Sequence, residues 1–216
     1  STEDEEKLAD LFLGEWEQKF FKNAKTDSLL TIVTSQLINN LDTAIYNYQF
    51  HIVKSEEVNA FTTFGGHIII HTGLIDFLES PEELASILAH ELGHAQERHV
   101  LTKVSTEIGS TVLLSILTGG DPGIINEISK SLLSSGFSRS MEKEADVFAY
   151  DLLQKAHINP SNLTTCFIRL KSNEQMDTDN LELIKSHPNL KNRITYLSEL
   201  KLDSTFTKTP INLDWE

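Results

Sequence analysis

Leu8, Leu11, Phe12, Trp16 and Phe20 recur at helical spacing and predict an amphipathic helix from about residue 3 to 22. A second helix, capped by Asp27, carries Leu30, Val33, Leu37 and Leu41 and ends in turn chemistry around Asn47. The period then changes. YQFHIV at 48–53 and GGHIIIH at 65–71 are β-branched and aromatic runs bounded by glycine and polar residues. They predict short strands of a small antiparallel sheet, with NAFTTF between them.

Ser80, Pro81 and Glu83 form a helix start with a mechanism: N-cap, first helical position and capping-box carboxylate. Leu84, Ile87, Leu88, Leu92 and Ala95 give that helix an apolar stripe, expected to run on to about residue 102. Across 104–137, VLLSIL is apolar, TGGDPG is a break and IINEISKSLLSSG reads as a second short helix before Gly136. A helical connection packed on the core is the plain reading, and a lid or membrane-leaning hairpin is the other. Residues 138–156 return to helical spacing with Met141, Ala145, Phe148, Ala149 and Leu152. Asn159-Pro160 opens a helix through Leu163, Phe167 and Leu170, a last helix covers about 189–201, and residues 205–216 read as an extended tail. The expected architecture is α+β and mostly helical, one domain over 1–204. Its segments are N-terminal helices (1–45), a sheet (46–72), a core helix (80–102), the 104–137 connection, a helix at 138–156 and C-terminal helices (160–201).

Composition fits this picture: 216 residues, 39% hydrophobic and 23% charged, suit one domain with a sizeable core. The net charge of −14 repels phosphate backbones, which argues against a nucleic-acid partner. Cys166 is the single cysteine, so no intramolecular disulfide forms, and a small buried side chain is its expected role. No apolar run reaches the ~18 residues that span a bilayer. The opening STEDEEK carries neither Met nor a signal-peptide pattern and reads as a trimmed or mature soluble portion.

The chemistry concentrates in LAHELGHAQERHV, residues 88–100. His90 and His94 are four apart, so on a helix both imidazoles reach one ion from one face. Glu91 is rotated about 100° from His90, beside the metal's open position, where a general base belongs. A third ligand from HExxHxxGxxH needs Gly at 97 and His at 100, where this chain has Glu97 and Val100. His99 is displaced by one residue, which gives it a helix-end or surface role. A second helix supplies the ligand instead. In SRSMEKEAD, Glu142 and Asp146 share a face, while Glu144 points elsewhere. Glu142 is therefore the expected third ligand, and Asp146, one turn on, is placed to accept the remaining ring N–H of a ligating histidine. His51, His67, His71 and His157 read as ordinary sheet or surface histidines.

Four ordered motifs, NAF(x)₃GGHIIIHTGLI, HELGH, SRSMEKEAD and SHPNLKNRI, resemble the M48 family of zinc metallopeptidases and span residues 59–196. The resemblance implies a gluzincin: a mostly helical zincin domain with a small sheet beside the HExxH helix. One Zn2+ per chain is held by His90, His94 and Glu142, with Glu91 as catalytic base and Asp146 supporting a ligand. It also implies that the strand bearing Asn59, Ala60, Phe61, Gly65 and Gly66 binds a polypeptide substrate as an added strand. Phe64 stands where relatives commonly carry proline. His187 would approach the zinc, stabilising the transition state or occupying the fourth position as a latch, with Arg193 as its companion. A histidine before proline is otherwise often a capping or packing residue. Hydrolysis of extended or misfolded polypeptides in a bacterial periplasm or envelope follows by analogy. Membrane proximity would come through an anchor outside this chain or through 104–137. A latent zinc-containing chaperone or binding module, blocked by His187 and 104–137, is the competing expectation.

Overall fold

The computed structural model describes residues 1–14, 16–117, 119, 123–124, 128, 136–174, 180–213 and 215. Helix α1 (Thr2–Gly14) stops well before residue 22; a 3-10 turn follows at Glu17–Lys19, and Phe20 bridges to Val53. The apolar spacing of 16 and 20 therefore serves a different purpose. Phe21 N donates to Ile52 O at 2.7 Å and Phe20 stacks on His51. Asn23, not Asp27, caps α2 (Ala24–Ile38), accepting from Lys25 N at 2.9 Å; Asp27 lies in the first turn, where the helix dipole favours an acid.

Three strands form one sheet in the order β1 (Gln49–Val53), β3 (His67–His71), β2 (Ala60–Thr62). NAFTTF thus contains a strand of its own. β2 pairs with β3 antiparallel, Phe61 opposite Ile69, as expected of the sheet. β1 departs from that expectation and pairs with β3 parallel, Phe50 opposite Ile68. The Phe64–Gly66 turn gives β2 the hairpin position, so β1 is left the opposite edge and meets β3 in the parallel direction. Gly65 and Gly66 have φ of 65° and 77°, a region that favours glycine, and the turn packs beneath α1 against Ala9 and Tyr46. Phe64 is buried in the same apolar cluster.

The sheet is covered on both faces. Val53, Phe61 and Ile69 pack with Leu8, Phe12 and Trp16, whereas Ile52, Ala60, Ile68 and Ile70 join the larger core with Leu84, Leu88 and Leu92. That second face meets α4 (Pro81–Gln96), preceded by α3 (Thr72–Phe77). Ser80 Oγ accepts from Glu83 N as predicted, while the Glu83 carboxylate reaches one residue further back, to Glu79 N at 2.8 Å.

Helix α4 does not continue to 102. Arg98 adopts φ 54°, ψ 35°, and the chain restarts as α5 (His99–Ile108), followed after Gly109 by α6 (Ser110–Leu117). Among the described residues no single helix is long and apolar enough to cross a membrane; α5 and α6 pass that test only as a pair bent by 106°. The expected break and short helix between 118 and 135 fall largely outside the described residues.

Helix α7 (Arg139–Lys155), capped by Ser138, lies across α4, followed by α8 (Ser161–Glu174), the unanticipated α9 (Glu182–Ser186) and α10 (Leu190–Glu199). Gly93 sets the α4–α7 distance: a Cβ there would sit 2.9 Å from Ala145 Cα and from its carbonyl oxygen. Past residue 200 the described residues form no helix or strand, but the segment is docked. Ile211 N donates to Glu82 Oε1, and Trp215 Nε1 to Leu78 O, both at 2.9 Å.

Candidate metal centre

The α4–α7 crossing brings one turn of each helix together, and His187, at the end of α9, closes the group. His90, His94, Glu142 and His187 each offer a ligand atom, all within 4.8 Å of one another, and all four residues are buried. His90 Nε2 is 3.0 Å from His94 Nε2 and 3.2 Å from His187 Nδ1. The Glu142 oxygens lie 3.6 Å from the Nε2 atoms of His90 and His94 and 3.0 Å from His187 Nδ1. A tetrahedral ion with ligands at 2.0–2.1 Å needs donor–donor edges of about 3.3 Å, so this set fits a zinc-sized ion. Lone pairs of neutral imidazoles facing one another at 3 Å repel unless a cation or proton lies among them. The chemistry of the donors suits a cation, with a proton on His187 in its place when none is bound.

The charges around the centre are arranged the same way. Burial works against a charge on His187, but the carboxylates of Glu142 and Glu91 outweigh it and lift its pKa to about 9. Burial, reinforced by His90 and His187, pushes His94 well below the usual histidine range. Glu142 and Asp146 are each held low: burial opposes their ionisation, but His187 and Arg193 overcome it at Glu142, and Arg193 and His90 at Asp146. An ion at the donors must replace a proton on His187 before that ring can ligate.

Asp146 stands where the helical spacing puts it, Oδ1 2.9 Å from His90 Nδ1. Arg193 is not aimed at an open cleft. Its Nε and Nη2 bind Asp146 at 2.8 and 2.6 Å, its Nη1 lies 2.6 Å from Glu142 Oε2, and its guanidinium covers the Phe167 ring. Tyr196 donates its hydroxyl proton to Asp146. Arg193 thus packs as a clamp between the helix-α7 carboxylates, with a further contact to His187 O at 3.3 Å.

Glu91 is fully buried, with Oε1 3.2 Å from His187 Nε2. Thr62 Oγ1 lies 2.6 Å from the Glu91 carbonyl and 2.9 Å from its Oε2, tying β2 to the motif. Asn59, Ala60, Phe61, Gly65 and Gly66 are not in the donor cluster; they form β2 and its turn. Asn59 O and Thr63 N bond to β3, so by antiparallel alternation the backbone groups of Ala60 and Thr62 face the other edge. His51 and His67 stack on each other, and His71 lies 3.2 Å from Glu57; all three are apart from the cluster.

Thr62, Tyr196 and Phe137 escaped the sequence reading, and His99 was read without its contact with the site. Phe137 stacks on His94 at 3.9 Å, and His99, expected at a helix end or surface, is buried with Nδ1 3.1 Å from His94 Nδ1. The only signal for Thr62 was its place beside NAF; His99 lies within the 88–100 stretch but is aimed by the turn at Arg98, and Phe137 and Tyr196 flank the later motifs with no spacing rule that points them at the centre.

A buried His-His-Glu-His donor set on an HExxH helix, crossed by a second acidic helix beside a small sheet, is a candidate metal centre within a zincin-like fold. The chain belongs to peptidase family M48, whose sequence profile matches residues 24–201. It is 30% identical over 161 residues to Metalloprotease LoiP of Escherichia coli (strain K12), covering 71% of this chain and 62% of that protein. Identity is 26% over 189 residues to the Beta-barrel assembly-enhancing protease of Yersinia pestis, covering 75% of this chain and 37% of the relative. It is 31% over 180 residues to the Mitochondrial metalloendopeptidase OMA1 of Arabidopsis thaliana, covering 82% and 35%. The chain therefore spans from about a third to three-fifths of the length of these relatives.

Proposed function

We propose that the protein is a zinc-dependent endopeptidase that hydrolyses peptide bonds in extended or misfolded polypeptides. The observation that carries this reading is the four-donor cluster with the Glu91 carboxylate beside it. His90, His94 and Glu142 would hold the ion, with His187 at the remaining position in the conformation described. Zinc bound there supplies Lewis acidity, activating water and polarising the scissile carbonyl. Glu91 takes the proton from the attacking water and returns it to the departing amine, and Thr62 holds the Glu91 carboxylate for both transfers. The Ala60–Thr62 edge, buried in the conformation described, would receive the substrate backbone as an added strand once uncovered, which requires little of its side chains. Asp146 fixes the His90 tautomer, and Arg193 holds Asp146 and Glu142 in register.

The placement of His187 favours a second reading of the resting state. With its ring against both Glu142 and Glu91, and every residue of the centre buried, a substrate reaches the ion only after His187 moves. We take this as a latched form of the peptidase; a zinc-containing binding module without hydrolysis is the other class it fits. An envelope compartment and membrane-associated substrates are proposed from the relatives named for β-barrel assembly.

Casein hydrolysis by wild type, Glu91→Gln and His187→Ala, with zinc quantified in each, tests the proposal. Cleavage by wild type or His187→Ala but not by Glu91→Gln, at equal zinc content, is the expected outcome, and a gain in His187→Ala identifies the latch. Zinc in all three without cleavage in any leaves the binding module in its place.

A further inference from the structure

Each helix histidine must present one ring nitrogen to the ion and dispose of the N–H on the other. For His90 the acceptor is Asp146. Among the described residues no carboxylate meets the corresponding Nδ1 of His94; it meets His99 Nδ1 at 3.1 Å, and His99 Nε2 in turn lies 3.1 Å from Glu144 Oε2. Only one assignment of protons satisfies this chain with the His94 Nε2 lone pair left for the ion. His94 carries its proton on Nδ1 and donates to His99 Nδ1; His99 carries its proton on Nε2 and donates to Glu144. Glu144 points away from the donor cluster, yet reaches it through one intervening imidazole.

We propose that His99 and Glu144 are positioning residues that orient His94 and fix its tautomer for metal binding, with Arg98 as the backbone pivot that makes this possible. The inference rests on the reading of the cluster as a metal site. Continued as a helix, α4 would carry His99 some 140° around the axis from His94. The left-handed turn at Arg98 (φ 54°, ψ 35°) instead folds His99 back onto the centre, leaving it 3% exposed. A non-glycine residue holds this conformation only where its surroundings impose it. Here Glu5, buried on α1, accepts from Arg98 Nε at 2.8 Å and from the Tyr46 hydroxyl at 2.7 Å, and Arg98 N donates to Ala95 O. Glu5 precedes the region matched by the M48 profile, so an element outside that region sets the support of a ligand inside it.

Two readouts test this on the whole chain. Two-bond 1H–15N correlations of the metal-free protein near neutral pH are expected to show His94 protonated on Nδ1 and His99 on Nε2. Chelator competition with zinc is expected to show His99→Phe, which keeps an aromatic ring but loses both nitrogens, weakened by about 10- to 100-fold. Glu144→Ala should follow in the same direction, and Glu144→Gln, whose amide oxygen still accepts from His99, should recover most of the affinity. Glu144 is 58% exposed, so its variants carry the test if His99→Phe fails to fold. Unchanged zinc affinity in folded His99→Phe, or in both Glu144 variants, overturns the relay, as does a His99 proton on Nδ1. A wild type that binds no zinc overturns the metal reading instead, and the two tautomers then decide the relay by themselves.

Discussion

Asp146 is shared among His90, Arg193 and Tyr196, so its removal affects three groups at once. Asp146→Asn keeps the size but loses the charge that balances a buried guanidinium. We expect zinc affinity to fall about 10- to 100-fold, read by chelator competition, because the histidine loses its carboxylate partner. Cys166 provides an independent check on burial. Its thiol is pushed up to about 12, by burial first and by Glu83 second, so it stays protonated in the folded protein at pH 8. A thiol reagent at that pH should label it only after denaturation; rapid labelling of native protein would contradict the packing around α8. The helical spacing within HELGH and MEKEAD made His90, Glu91, His94, Glu142 and Asp146 legible, because each set lies on one unbroken helix. His187 and Arg193 were legible only through resemblance, since no local period links 187 to 90. His99 stands at a helix end and outside the donor cluster, as expected, but its burial against His94 was not legible, because its direction depends on one dihedral at Arg98, held by Glu5 from more than ninety residues away.

The capped start of α4 was read correctly, Ser80 accepting the predicted backbone N–H, whereas the caps of α2 and α7, Asn23 and Ser138, were not singled out. Elements ending or bending for tertiary reasons were not legible. Helix α1 gives way at Gly14 so that Phe20 can cover β1, and α4 stops at Gln96 although its sequence suits a longer helix. β1 runs parallel to β3 because β2 occupies the hairpin position, which no alternation pattern within β1 encodes. The α4–α7 crossing has a sharper dependence. Since a Cβ at Gly93 would meet the Ala145 backbone at 2.9 Å, Gly93→Ala must part the two helices. Helix propensity favours alanine over glycine by about 1 kcal/mol, yet we expect a net loss of thermal stability and of zinc affinity because the separated backbones carry the ligands. A Gly93→Ala protein more stable than wild type, with zinc retained, would show that the crossing is looser than described.

At the scale of the molecule, the two apolar clusters sandwich the sheet and leave the proposed metal donors where α4 and α7 meet the end of α9. This makes the centre part of the fold, so ion binding and stability are linked. Zinc at about 100 times its Kd should add about 2.7 kcal/mol to the stability of wild type. The corresponding rise in Tm should disappear on addition of chelator. The central claim is that His90, His94 and Glu142 hold the ion, and its most direct test is zinc per chain in wild type and Glu142→Gln after identical dialysis against a weak chelator. The account predicts about one zinc in wild type and a large deficit in folded Glu142→Gln; stoichiometric zinc retained by Glu142→Gln would contradict it.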